Sequence, residues 1–142
     1  MAQKLIDGLG LVPHPEGGYF REIYRSAAPV MESKGKTDER GRLMSVEGAE
    51  GGVRNEMTSI YWMATAQYHY LWMGLNVSPH VHYYHSGDPF TYILVYSDGK
   101  VEEITMGPDP TKGHVMQMVV PSGTYKAGYL TKKEAGSYFL VG

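Results

Sequence analysis

From Thr58 onward almost the whole chain reads as a succession of short strand-like segments, each bounded by turn residues. The segments are SIYWMA, QYHYLWMGL, HVHYYH, FTYILVY, KVEEITM, VMQMVV, TYKAGYL and SYFLV. A period of two suits a strand, because successive strand side chains point to opposite faces. Ser97-Asp98-Gly99 joins two segments as a hairpin turn, since Asp-Gly tolerates positive φ. Gly107-Pro108-Asp109-Pro110 and Pro121-Ser122-Gly123 are further turns. Eight or nine short strands, spaced about ten residues apart, predict an all-β domain built as a sandwich or small barrel. Composition agrees: 18 Gly and 12 Tyr among 142 residues, with no collagen period, suit many strands joined by tight turns.

The first part of the chain is less regular. Leu5, Ile6 and Leu9 share a face of a short helix over residues 3–9, with glycines after it. Pro13, Pro15, Gly17 and Gly18 then break the chain. YFREIYR (Tyr19–Arg25) has strand periodicity with bulky groups on both faces. Residues 31–56 carry many charges and glycines and are expected to form a long, flexible loop, either a plain insertion or a lid over a pocket. One domain over 1–142 is expected at this length.

Several function classes drop out. Thirteen basic and 15 acidic residues give a net charge of −2, without the basic footprint of a nucleic-acid binder. Zero Cys excludes disulfides, thiolate metal sites and a cysteine nucleophile. The opening MAQKLIDGLG has no signal-peptide pattern, and no apolar run approaches the ~18 residues of a membrane span. The expectation is a cytoplasmic protein acting on a small molecule, with neither nucleic acid nor membrane as partner.

Chemistry concentrates between Asn76 and Pro89. His80, His82 and Tyr84 share one strand face, and Val81, Tyr83 and His85 share the other. Two residues along a strand span about 6.6 Å, so His80 and His82 can address one small molecule or one metal ion. Histidine serves acid–base work near neutrality and is the commonest metal ligand. The plainer reading makes them half-buried strand residues bonded to tyrosines or backbone. His85 points away and is read as a structural or interface residue; His14 and His69 are read as isolated, and His114 as a residue that follows a turn. Glu16, Arg21, Glu22 and Lys126 are further titratable candidates. Turned inward, Lys126 has a depressed pKa and can act as a base or an anion anchor; turned outward, it is a solvated strand residue.

Five blocks occur together in one order: VPHPEGGYFRE (Val12–Glu22), SIYWM (Ser59–Met63), HYYHSGDP (His82–Pro89), GHVMQMVVPSGTYKA (Gly113–Ala127) and YFLVG (Tyr138–Gly142). They resemble the cupin superfamily, in the small, largely uncharacterised branch with an HPEGG-type opening, over nearly the whole chain apart from 31–56. The resemblance implies a double-stranded β-helix, a jelly-roll barrel behind the short N-terminal helix, often dimeric, with its pocket inside the barrel. Cupins commonly bind a metal through two His and a Glu in a first motif and a His in a second. Anchored on Gly87, the Glu position falls on His80 and the two His positions on Gly74 and Asn76. Anchored on Pro121-Ser122-Gly123, the last His position falls on Lys126. A glycine offers no side-chain ligand and a protonated lysine is a poor one. No cofactor is therefore expected; if a divalent metal binds, His80 and His82 hold it. Relatives also continue past the Leu-Val-Gly stretch with a further strand. Here the chain stops at Gly142, so either it is cut short or a barrel edge is left open for a partner subunit to cover, in a homodimer.

The leading expectation is metal-independent acid–base catalysis of an isomerisation, epimerisation, cyclisation or elimination. His80 and His82 are base and acid, Lys126 stabilises an anion, and Tyr61 or Tyr84 donates a proton. Substrate contacts are expected from Glu16, Arg21, Glu22, Trp72, Asn76 and Gln117. A second expectation keeps a metal on His80, His82 and a third group such as His85 or Glu22. A third is a non-catalytic binding module for a sugar or flat ligand, walled by Tyr61, Trp62, Tyr70, Trp72 and Tyr84, aromatics that a barrel core also needs.

Overall fold

Alternation in the sequence becomes strand in the structure, a computed structural model that describes residues 1–27, 29–30, 54–55 and 57–142. The elements in chain order are helix α1 (Ala2–Leu9), then strands β1 (Val12–Pro13), β2 (Tyr19–Arg25), β3 (Pro29–Val30), β4 (Arg54–Asn55), β5 (Thr58–Thr65) and β6 (Tyr70–Asn76). They continue as β7 (His80–Gly87), β8 (Phe90–Val95), β9 (Val101–Met106), β10 (Gln117–Val120), β11 (Thr124–Leu130) and β12 (Tyr138–Val141). One sheet runs in the order β1-β2-β5-β12-β7-β10 and a second in the order β6-β11-β8-β9. From β5 on, the chain crosses between these sheets at nearly every connection; only the β8–β9 hairpin stays within one. This winding is that of a jelly roll, as expected.

The described residues divide into two compact units, Met1–Arg21 with Ile60–Gly142 and Glu22–Ser59. In the first unit the inward residues of both sheets form the core. Phe90, Tyr92 and Leu94 alternate along β8 and meet Trp62, Ala64, Met118, Val120, Phe139 and Val141. Phe90 and Phe139 stack with centroids 5.0 Å apart. Helix α1 lays Leu5, Ile6 and Leu9 against Leu11, Met63 and Leu140, and ends at Gly10 with φ 62°. The second unit contains the β3–β4 ribbon, with Pro29 opposite Asn55 and Val30 opposite Arg54. There Arg25 pairs with Glu22 and donates to Asn55 Oδ1 at 2.8 Å.

Two expectations change. Of the predicted loop over 31–56, residues 31–53 and Glu56 lie outside the described residues, while Arg54 and Asn55 form a strand. The last segment is no open edge: Tyr138–Val141 pairs with β5 on one side and β7 on the other. Central placement satisfies the backbone of β12 on both sides.

Candidate functional site

Strand pairing decides which polar side chains enter the space between the two sheets. On β7, His82 stands opposite Met118 and His80 opposite Val120. Both partners are buried, so both histidines face inward, with His80 at the exposed end. On β11, Lys126 stands opposite buried Leu94 on one side and Gly74 on the other. Lys126 therefore also points inward, from the other sheet. Its Nζ lies 3.0 Å from His82 Nε2 and 3.4 Å from His80 Nδ1.

An ammonium can only donate, so both imidazole nitrogens accept, leaving the His82 proton on Nδ1 and the His80 proton on Nε2. Burial, then the Lys126 charge, then His80 hold His82 well below its ordinary pKa. Burial of the ring and the same charge bring His80 down to about 4. Burial lowers Lys126 to about 8, against the pull of the Glu16 carboxylate. At neutral pH the cluster is thus one ammonium between two neutral imidazoles.

Glu16 arrives from the turn between β1 and β2. His14 N–H donates to Gly18 O at 2.9 Å and Gly17 N–H to His14 O at 3.0 Å. Gly17 and Gly18 have φ of 100° and 73°, which favours glycine at both positions. The turn is pinned twice: Trp72 N–H donates to Glu16 O at 2.9 Å, and buried Trp62 donates its Nε1–H to Gly17 O at 3.1 Å. The carboxylate fills the space beside Gly74, where a Cβ would meet Glu16 Oε1 at 3.3 Å. Gly74 is also the residue opposite Lys126, so the carboxylate's charge acts on the lysine. His14 accepts the Glu16 N–H at Nδ1, 3.0 Å away. Burial lowers its pKa, Glu16 opposes this, and Lys126 adds to it. Read from sequence as isolated, His14 belongs to this charged neighbourhood. Its place in the block that carries Glu16 was the available signal.

Two buried polar groups border the cluster. Asn76 stands opposite Thr124 on the same inner face; it is 6% exposed, and its Nδ2 has no hydrogen-bond partner among the described residues. Tyr92 stacks on His82 with ring centroids 5.4 Å apart, and its buried hydroxyl likewise has no partner among the described residues. Burial pushes that hydroxyl's pKa up.

Other predicted site residues are not brought here. Tyr84 shares the His82 face but donates its hydroxyl to Gly87 O at 2.7 Å and packs on Phe139. Tyr61 points to the helix side of β5, among the residues around Met63 and edge-on to His85. Strand alternation sends it there, since neighbouring Trp62 takes the core. Arg21 donates to Leu9 O at 2.9 Å, at the end of α1. Gln117 is exposed opposite Tyr83, on the outer face. Trp72 stands between the Gly74–Lys126 and Leu71–Gly128 pairs, where the register shifts, 62% exposed and edge-on to Tyr70. Glu22 is paired with Arg25 in the second unit.

The positions of the cupin metal motif do converge, as Gly74, Asn76, His80 and Lys126. They do not make a donor set for a divalent cation. Among the described residues no three His, Asp or Glu side chains are grouped so as to hold a metal ion. The Lys126 ammonium lies within hydrogen-bonding distance of both imidazoles, where its charge opposes a second cation.

Comparison with known proteins agrees with this architecture. The family model described as "Cupin superfamily (DUF985)" matches residues 3–142. The uncharacterised protein YML079W of Saccharomyces cerevisiae is 34% identical over 132 residues, 93% of this chain. The chain spans 62% of that protein's length. Among solved structures, a hypothetical protein from Leishmania major superimposes with a TM-score of 0.76 at 27% identity, over 99% of this chain and 78% of that one. Protein SO0799 from Shewanella oneidensis gives 0.70 at 22% identity, over 99% and 73%, a likeness of fold alone. Among the described residues no helix is long and apolar enough to cross a membrane.

Proposed function

The chain belongs to the cupin superfamily, in a family of unknown function, and from that premise we propose that its site performs acid–base chemistry on a small carbonyl compound without a metal. The observation that carries the reading is the position of Lys126 Nζ, 3.0 and 3.4 Å from two inward imidazoles. Isomerisation, epimerisation and elimination next to a carbonyl begin alike: a base removes a proton, and negative charge grows on the carbonyl oxygen. His80, the more loosely held at 3.4 Å, frees Nδ1 for the substrate proton by releasing one Lys126 N–H, which turns to that oxygen while another stays on His82. The growing oxyanion offsets the charge that depresses His80 and His82, so the imidazole released from the ammonium becomes a stronger base as the reaction proceeds. His80, at the exposed end, can exchange the proton with solvent. The Glu16 carboxylate favours the charged form of Lys126.

A panel of carbonyl compounds tests this without the substrate being identified beforehand. The protein is incubated in D2O with hydroxy-ketones, 2-oxo acids and aldoses, and loss of the α-proton is followed by NMR. At least one compound should exchange above the buffer rate. Lys126→Met and His82→Ala should each lower that rate by about 100-fold or more. Rates equal in wild type and both variants would remove the reading. Binding without exchange would favour a plain binding module, for which exposed Trp72 edge-on to Tyr70 supplies a stacking surface.

A further inference from the structure

We propose that Lys126 is also a covalent nucleophile, whose amine condenses with small aldehydes or ketones to form an imine. This goes beyond the acid–base reading, in which Lys126 acts only through its charge and its N–H groups.

Three observations support it. First, the amine sits between imidazole nitrogens at 3.0 and 3.4 Å, each able to take a proton from it and return one. A nucleophile with a base within hydrogen-bond reach is the arrangement that covalent catalysis requires. Second, no other lysine among the described residues has such surroundings. Lys100, Lys112 and Lys132 pair with Glu102, Asp109 and Asp88, with side chains 64, 73 and 60% exposed, and Lys4 and Lys133 are exposed. Partial burial also lowers the cost of the neutral amine, as its depressed pKa reflects. Third, Asn76 Nδ2 is a buried donor without a partner among the described residues, two positions along β6 from the residue opposite Lys126. A buried donor left unpaired costs about 1–3 kcal/mol, which a ligand oxygen would recover. The ligand is therefore a small aldehyde or ketone carrying a second oxygen, such as a hydroxy-aldehyde or a 2-oxo acid.

The chemistry balances without a further reagent. The neutral Nζ lone pair adds to the carbonyl carbon and the C=O π pair moves to oxygen. His82 Nε2 takes one proton from nitrogen and delivers it to that oxygen, giving a carbinolamine. A second proton from nitrogen follows the same route, the hydroxyl leaves as water, and the nitrogen lone pair closes the C=N bond. Amine plus carbonyl gives imine plus water, with two protons moved from nitrogen to oxygen.

The full chain is treated with glycolaldehyde, and separately with pyruvate, in the presence of sodium cyanoborohydride near pH 8, and the modified peptides are mapped by mass spectrometry. Lys126 should be alkylated at least about tenfold faster than any of the other seven lysines. His82→Ala should slow Lys126 several-fold while leaving Lys4 and Lys133 unchanged, with circular dichroism and a cooperative thermal transition checking that the variant is folded. Lys126 reacting no faster than the exposed lysines would overturn the proposal, and equal rates in His82→Ala would remove the imidazole from it. Deuterium exchange without preferential alkylation would end the covalent role alone. Preferential alkylation without exchange of any carbonyl compound would end the acid–base reading alone.

Discussion

Glu16 is the residue on which the charge balance of the site turns. Its carboxylate raises the proton affinity of both Lys126 and His14, against the burial that lowers each. Glu16→Gln removes that negative charge from beside both groups. Lys126 should then titrate below about 8 and His14 further below its ordinary value, both followed by NMR of the side-chain carbons. An upward shift of either group would show that another charge sets the balance. At this scale the sequence was uneven. His80 and His82 were legible because alternation alone puts them on one face. His14 was not, because what matters is a turn that folds back on itself and a glycine on another strand that leaves room for its neighbour's carboxylate.

At the level of elements, nearly every strand could be read from alternation, but sheet membership and register could not. Lys126 faces inward only because β11 pairs with β6 and β8 in one particular register, and a slip of one residue would turn it out. The same gap hid the place of β12, since a final segment looks like an edge until its two neighbours are known. β11 also carries the clearest packing constraint. A Cβ on Gly128 would lie 2.3 Å from Phe90 Cε1 and 2.8 Å from the Thr91 carbonyl oxygen. Phe90 is fully buried and the second atom is backbone, so neither can yield without moving β8. Gly128→Ala should therefore cost about 1–3 kcal/mol through overpacking. Thermal unfolding followed by circular dichroism should show a fall of at least about 2–4 °C. Because Lys126 is two residues away on the same strand, the His80 and His82 ring signals should shift with it. An unchanged melting temperature would mean that β11 moves off β8 freely.

For the whole molecule, a half-buried cation and two inward-facing neutral imidazoles make stability depend on pH in a definite direction. The folded chain holds His80 near 4 and His82 well below its ordinary value, whereas in the unfolded chain both titrate near 6.5. As pH falls through 6.5 the unfolded chain binds these protons first, and stability drops until the folded histidines also protonate. Lys126 acts at the other end. Its folded pKa is about 8 against an ordinary 10.5, so the folded chain gives up the proton first and stability rises with pH across that window. Lys126→Met retains the apolar stem and removes the charge. It should stabilise the protein at pH 7 by about 1–3 kcal/mol, the lower part of that range applying where solvent screens the partly exposed ammonium. That advantage should shrink as pH rises from 8 to 10.5, where the wild-type lysine becomes neutral in the fold. The acid limb of the variant should also be shallower, because without the cation both histidines titrate closer to 6.5. Urea unfolding at a series of pH values measures all three effects. A variant less stable than wild type at pH 7, by a margin that does not change with pH, would show that the ammonium is well solvated in the fold. The expected result is a stability cost borne at neutral pH by the group that gives the site its chemistry, the trade that functional sites commonly make.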